Sequence, residues 1–316
     1  MAAMRTTRPG GPSRSRVLLC VALSFSSFAW ITLARAIDPE RVTFPSLDID
    51  AATGKPVALS ALYFSPDPSS GGYPAVIALH GCGGMYSAGR GDRLSPRHQQ
   101  MAELLLAQGY AVLFPDSFNP RGRREVCNDP PGKSNITQDN RRLDVLGALT
   151  YLRTRADIDA DRIALLGWSH GGSAVLASVN RRHPAVASYL GSPDADSFFR
   201  TAVAFYPGCY ASLRSRDGYA PATRVDIFIG ESDDWTSPKP CIALGAAMEA
   251  MGMPLHVKTY AGAHHGFDTP DMIGPRHLDG PEGVYPGKGV TMAPNREARD
   301  DAYALVMARL RAAMFH

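Results

Sequence analysis

The sequence predicts an α/β fold, a mostly parallel central sheet with helices on both faces. Three observations carry this. Short apolar runs of strand length alternate with longer segments of helical periodicity from Tyr73 onwards. The runs end in glycine-rich or acidic turns. The stretch Asp161–Gly172 passes from an apolar run straight into a Gly-Trp-Ser-His-Gly turn and then into a helix-forming segment.

Taken in order, Arg41–Phe44 and Pro56–Phe64 alternate around a turn at Thr53-Gly54 and read as an opening hairpin. Tyr73–Leu79 is a near-continuous apolar strand. Ser95-Pro96 opens a helix as N-cap and N1, and Gly109 stops it. Tyr110–Pro115 is the next strand, and Leu143, Leu146, Leu149 and Leu152 line one face of a long helix. The strand Ile163–Leu166 and the helix Ser173–Val179 follow. Further strands are Thr201–Tyr206, Val225–Ile229 and Leu255–Tyr260, with a helix from about Pro240 to Met251 between the last two. Ala302, Val306 and Leu310 mark a closing helix, and Gly274–Pro294, rich in Gly and Pro, reads as a long loop.

The N-terminus reads as a targeting segment. Arg5, Arg8, Arg14 and Arg16 precede the apolar run Val17–Leu33, and Ala34-Arg35-Ala36 supplies an A-x-A cleavage site. A signal peptide over 1–36 and a single mature domain over 37–316 are therefore expected, exported to the periplasm or secreted. An uncleaved membrane anchor is the alternative, and a lipoprotein reading of Cys20 lacks small residues before it. The whole chain has 33 Lys+Arg against 30 Asp+Glu, but Arg5, Arg8, Arg14, Arg16 and Arg35 lie in the leader, leaving 28 basic residues. A near-neutral mature chain argues against nucleic acid and against stable membrane association as partners. Cys82, Cys127, Cys209 and Cys241 remain, an even number that suits disulfides in an oxidising compartment.

Gly167-Trp168-Ser169-His170-Gly171 fits the G-x-S-x-G nucleophile elbow because strand and helix flank it. The sharp turn exposes Ser169, and the amides at the start of the following helix face any oxyanion that forms there. A serine hydroxyl needs a base, and the base an orienting carboxylate, in the chain order Ser, acid, His. The strand Val225–Ile229 ends in Gly230-Glu-Ser-Asp233-Asp-Trp235, which favours Asp233 over Asp234 and Glu231. The strand Leu255–Tyr260 ends in Ala261-Gly-Ala-His264-His265-Gly-Phe267, which favours His265 over His264. No carboxylate and His cluster at zinc spacing accompanies the His pair, so no metal is expected. Leu79-His-Gly-Cys82-Gly-Gly84 is an H-G-x-G-type loop, and the backbone N–H groups of Cys82 and His170 are the expected oxyanion hole. Trp168, Phe118, Trp235 and Phe267 flank these motifs as candidate walls of an apolar substrate pocket.

With these motifs the chain resembles the dienelactone hydrolase family from about Tyr73 to Phe267. The match rests on Leu79–Gly84, Asp116-Ser-Phe-Asn-Pro-Arg-Gly122, Gly167–Gly172, Tyr206-Pro-Gly-Cys209, Gly230–Thr236 and His265-Gly-Phe267. The resemblance implies an α/β-hydrolase fold and a cofactor-free nucleophile–His–Asp mechanism on Ser169, His265 and Asp233. Founding members carry a cysteine nucleophile where this chain has Ser169, which points to a serine esterase acting on a small-molecule ester or lactone. Those members also bind a substrate carboxylate through an arginine, for which Arg121 lies nearby at offset spacing. A peptidase on the same fold and a non-catalytic binding protein are the rival readings. The former usually needs a further domain, and the latter an incomplete triad. Because successive strands of this fold are neighbours on one edge of the crevice, Cys82–Cys127 and Cys209–Cys241 are the expected bridges.

Overall fold

The computed structural model describes residues 38–67, 71–87, 89, 91–130, 132–191 and 198–315. The expected leader at 1–36 lies outside them. In chain order the elements are β1 (Glu40–Ile49), β2 (Pro56–Phe64), β3 (Tyr73–Leu79), α1 (Pro96–Ala107), β4 (Ala111–Asp116), a 3-10 turn (Asn119–Arg121) and α2 (Gln138–Arg153). There follow β5 (Ile158–Trp168), α3 (His170–Val179), α4 (Pro184–Leu190), β6 (Thr201–Phe205), α5 (Tyr210–Leu213), β7 (Arg224–Gly230), α6 (Pro238–Ala250), β8 (Leu255–Tyr260), β9 (Arg276–Leu278), β10 (Val290–Met292) and α7 (Arg296–Met314).

Eight strands form one sheet in the order β1-β2-β4-β3-β5-β6-β7-β8. The β1–β2 and β2–β4 pairs are antiparallel, and every pair from β4 to β8 is parallel. The central strands have no solvent face. Val76, Ile77, Leu79, Val112, Leu113, Phe114, Ile163 and Leu165 are fully buried, as a sheet covered on both sides requires. At the edge, β1 alternates buried and exposed residues. The chain steps from β3 outwards to β4 and then back across to β5, so the order reverses between β3 and β5. A crevice opens at that reversal, beyond the carboxyl ends of the strands. The loops leaving β3 and β5 carry Gly81 and Ser169.

Two local readings need correction. Ser95 stands at the N-cap of α1 but its hydroxyl does not cap; it pairs with His98 Nδ1 at 2.9 Å, and Pro96 opens the helix without it. The reciprocal cap falls at α2 instead, where Thr137 and Asn140 form a capping box. The stretch Gly274–Pro294 is not all loop. Strands β9 and β10 pair antiparallel through Leu278–Val290, His277–Thr291 and Arg276–Met292.

This ribbon is fastened at three points. The Val284 amide donates to Asp234 O and the Thr291 amide to Asp234 Oδ1, each at 2.7 Å. Met292 bridges to His265. Gly280 packs so closely on Asn128 that a Cβ there would stand 2.5 Å from the Asn128 amide oxygen. The ribbon therefore links the turn after β7, the His265 loop after β8 and the Asn128 segment after β4. Among the described residues no helix is long and apolar enough to cross a membrane.

Candidate active site

Ser169 sits between β5 and α3 with φ 53° and ψ −117°, a conformation that L-residues rarely adopt. The flanking glycines are required by backbone, not by chemistry. A Cβ on Gly167 would stand 2.5 Å from Gly171 O and 2.9 Å from Val175 Cγ2. One on Gly171 would strike Leu79 O and come within 2.6 Å of His80 O, and one on Gly172 would lie 2.9 Å from Phe205 O. The Ser169 amide is occupied, donating to Phe205 O at 2.9 Å. The next amide in line is that of His170, the first residue of α3.

The structure brings Ser169, His265 and Asp233 together. Ser169 Oγ lies 2.9 Å from His265 Nε2, and His265 Nδ1 lies 2.8 Å from Asp233 Oδ2. The carboxylate accepts only, so it fixes the imidazole proton on Nδ1 and leaves Nε2 to accept from the serine. Asp233 is itself held. Its Oδ1 accepts the Trp235 amide at 2.9 Å and the Thr236 amide at 2.8 Å, and its Oδ2 lies 3.0 Å from Thr236 Oγ1. His265 and Asp233 are buried while Ser169 is half-buried, so only the serine end of the relay meets solvent. Of the competing residues, Asp234 pins the ribbon, Glu231 accepts from Thr259 Oγ1 at 2.8 Å, and the buried His264 Nδ1 has no hydrogen-bond partner among the described residues.

The loop after β3 lies against the elbow. A Cβ on Gly81 would stand 3.5 Å from Ser169 Cβ and 3.5 Å from Trp168 O, so the Gly81–Cys82 backbone borders the serine directly. Two disulfides are present, Cys82–Cys127 and Cys209–Cys241, the pairing expected from the strand order. The first ties the loop after β3 to the segment after β4, reinforced by the Val126 amide donating to Cys82 O at 2.9 Å.

The expected substrate contacts fare differently. Trp168, Phe118 and Phe267 are fully or almost fully buried and form the bed beneath the site, not its wall. Trp168 donates through Nε1 to Asp268, Phe118 packs edge-on against His80 and His170, and Phe267 packs on Tyr206. Trp235 is half-buried, with its ring centroid 4.7 Å from that of His265. Arg121 is committed: Nη1 donates to Ser117 O, and Nη1 and Nη2 together grip Asp144 at 3.0 and 2.8 Å, with Asp48 2.7 Å from Nη2. A guanidinium so occupied has no fork left for a substrate carboxylate.

Sequence reading missed several groups around the relay. Arg141 of α2 is fully buried, its Nη1 2.9 Å from His170 Nδ1. Burial pulls the Arg141 guanidinium down to about 10, and burial together with the Arg141 charge pulls His170 down to about 3, so His170 is neutral. Asp268, fully buried three residues beyond His265, gathers Arg97, Trp168, Tyr206 and Tyr303. Tyr206 carries φ 36° and packs its ring 4.5 Å from that of His265. No group of three His, Cys, Asp or Glu side chains able to hold a metal occurs among the described residues.

Known proteins resemble this chain in sequence and in fold. Over 221 residues the chain is 24% identical to a Bradyrhizobium sp protein described as "Probable 2-oxo-3-(5-oxofuran-2-ylidene)propanoate lactonase", covering 65% of this chain and 77% of that one. It is 28% identical over 121 residues to YtaP of Bacillus subtilis (strain 168), a match spanning 35% of this chain and only 40% of YtaP. In fold it is similar to Thermogutta terrifontis esterase 2 phosphoramylated by tabun, with a TM-score of 0.55, 16% identity, and 87% of this chain and 94% of that chain covered. The model of the dienelactone hydrolase family matches residues 59–312, and the chain belongs to that family, with its α/β-hydrolase fold.

Proposed function

We propose that the protein is a serine hydrolase that cleaves a carboxylic ester or lactone through an acyl-enzyme. The observation that carries this is the unbroken relay from Ser169 Oγ through His265 to Asp233, at 2.9 and 2.8 Å. Ser169 attacks the carbonyl carbon while His265 Nε2 takes its proton. The resulting imidazolium faces the Asp233 carboxylate, which orients and stabilises it. The oxyanion is held by the Cys82 and His170 amides. Two features support that pair: the serine's own amide is spent on Phe205, and Gly81 borders Ser169. Each such donor contributes on the order of 3 kcal/mol to the transition state. Collapse expels the alcohol, which takes the proton from His265; in a lactone it stays attached to the acyl group. Water, deprotonated by the same imidazole, then releases the acid.

Trp235, half-exposed beside His265, supplies one apolar wall of the substrate site. The substrate is a small molecule, and the chemistry needs no metal or cofactor. A sequence relative described as a probable lactonase and a structural neighbour described as an esterase agree with this class. Residues 1–36 act as a cleaved export signal, and 37–316 form one domain released to an oxidising compartment. Two disulfides support that location.

The test is an ester, lactone and peptide panel on the purified mature protein beside Ser169→Ala, with fluorophosphonate labelling and peptide mapping. Ester or lactone turnover lost in Ser169→Ala, with the label on Ser169, is the expected result. Turnover of peptides alone would favour the peptidase reading, and neither turnover nor label the binding-protein reading. N-terminal sequencing of exported protein should begin near Ile37.

A further inference from the structure

Asp268 is a carboxylate with no exposure to solvent, and the relay does not use it. Burying a charge costs several kcal/mol unless partners replace its water, and here four do so. Trp168 Nε1 donates to Oδ2 at 2.8 Å, Tyr206 Oη to Oδ1 at 2.6 Å and Tyr303 Oη to Oδ2 at 3.2 Å. Arg97 Nε stands 3.1 Å from Oδ1 and supplies the balancing charge. Burial alone would lower the Arg97 guanidinium, but the Asp268 carboxylate, together with Tyr206, Tyr303 and Asp271, holds the group above its ordinary value.

The partners come from separate parts of the crevice. Trp168 immediately precedes Ser169. Tyr206 immediately follows β6, packs on the His265 ring, and its carbonyl lies 3.1 Å from Thr236 Oγ1, the hydroxyl that also contacts Asp233. Asp268 itself lies in the loop that carries His265. Arg97 also reaches that loop, donating from Nη2 to Thr269. One carboxylate therefore joins the strand beneath the serine, the support of the acid and the loop of the base.

We infer that Asp268 is a positioning residue for this reaction: it sets the separation of Ser169 and His265 by clamping Trp168 and Tyr206 to the histidine loop. The inference rests on the serine-hydrolase reading of Ser169 and His265. Two connections to the relay run through the rigid aromatic side chains of Trp168 and Tyr206 and the third through the short backbone from Asp268 to His265, so a shift at Asp268 is transmitted, not absorbed. A displacement of about 1 Å between nucleophile and base costs about 100-fold in rate.

Asp268→Asn keeps the shape, removes the charge and turns one acceptor into a donor facing donors. The measurement is kcat per active site, with sites counted by fluorophosphonate titration, together with KM and the low-field proton resonance of His265 Nδ1–H. The expected result is a kcat per titrated site lower by about 10- to 100-fold with KM within about threefold, and loss or broadening of that resonance. A merely structural role would reduce the number of titratable sites and leave kcat per site and the resonance of the surviving protein unchanged; that result overturns the inference. Should Asp268→Asn fail to fold, Trp168→Phe cuts the tie to the elbow alone and should lower kcat per site in the same way, and an unchanged value there also overturns it. The serine-hydrolase reading fails separately, when wild-type protein neither turns over esters or lactones nor takes label on Ser169.

Discussion

Removing the two disulfides one at a time separates stability from catalysis. The bridges close loops of similar length, with sequence separations of 45 and 32. Chain entropy then predicts losses of about 4.0 kcal/mol for Cys82–Cys127 and about 3.7 kcal/mol for Cys209–Cys241. The two Cys→Ala pairs should therefore unfold at nearly the same urea concentration, both well below wild type. Activity should divide them. Cys82–Cys127 holds the loop that borders Ser169, whereas Cys209 and Cys241 are buried between the end of β6 and α6. Alanine at 82 keeps the backbone amide but frees its position, so kcat on a simple ester at 15 °C, where both variants remain folded, should fall about 10- to 100-fold. The Cys209→Ala/Cys241→Ala variant should stay within about threefold of wild type, because neither cysteine belongs to the loop after β3 or the start of α3 that supply the amide donors. Equal kcat for the two variants, or a larger loss at 209/241, would refute the assignment of the first bridge to the oxyanion loop.

Among the relay residues, His265→Ala and Asp233→Asn should each cut kcat/KM by roughly a thousandfold or more. His264→Ala should cost far less, and comparable losses at 264 and 265 would reverse the assignment of the base. Asp234→Asn should lower stability through the ribbon while retaining most activity; steady-state kinetics on protein checked for folding tests this. Stability should fall on the acid side of neutrality. Burial, with Arg97 for His98 and Arg141 for His80 and His170, holds these imidazoles down, to about 4 for His98 and about 3 for His170. An unfolded histidine protonates near pH 6.5, so the unfolded chain binds the extra protons; stability is full above about 6.5 and is lost as pH falls towards 4. A urea midpoint unchanged between pH 7.5 and 4.5 would reject this. EDTA should leave activity intact, and loss with recovery on added zinc would overturn the metal-free mechanism.

The grouping of Ser169, His265 and Asp233 was legible in the sequence because each follows the end of a strand, where local pattern and topology meet. The disulfides followed from the same strand order. What escaped reading depends on contacts between distant segments. Asp268 meets Trp168 and Tyr206 across sequence separations of 100 and 62, and nothing in Phe267-Asp268-Thr269 distinguishes it from a turn aspartate. Arg121 looked available because its partners, Asp48 and Asp144, lie on β1 and α2. The ribbon β9–β10 escaped because strands of three residues are too short to show alternation. Aromatic residues beside the motifs could be read as near the site, but their depth could not: Trp168 and Trp235 differ only once the sheet is assembled.

The elbow separates two kinds of constraint. Gly167 and Gly171 face carbonyl oxygens of the chain itself, so no side chain fits there whatever reaction the site performs. Nothing comparable fixes the atom at the tip of residue 169; its left-handed backbone holds any β-carbon bearing one heavy atom at the same point. On the proposed function, exchanging serine for cysteine there would change the nucleophile by one nucleotide and leave the close approaches at both glycines untouched. Descent within the family can therefore switch nucleophile without passing through an unfolded ancestor, whereas a lineage that lost either glycine would lose the protein before it gained a new reaction.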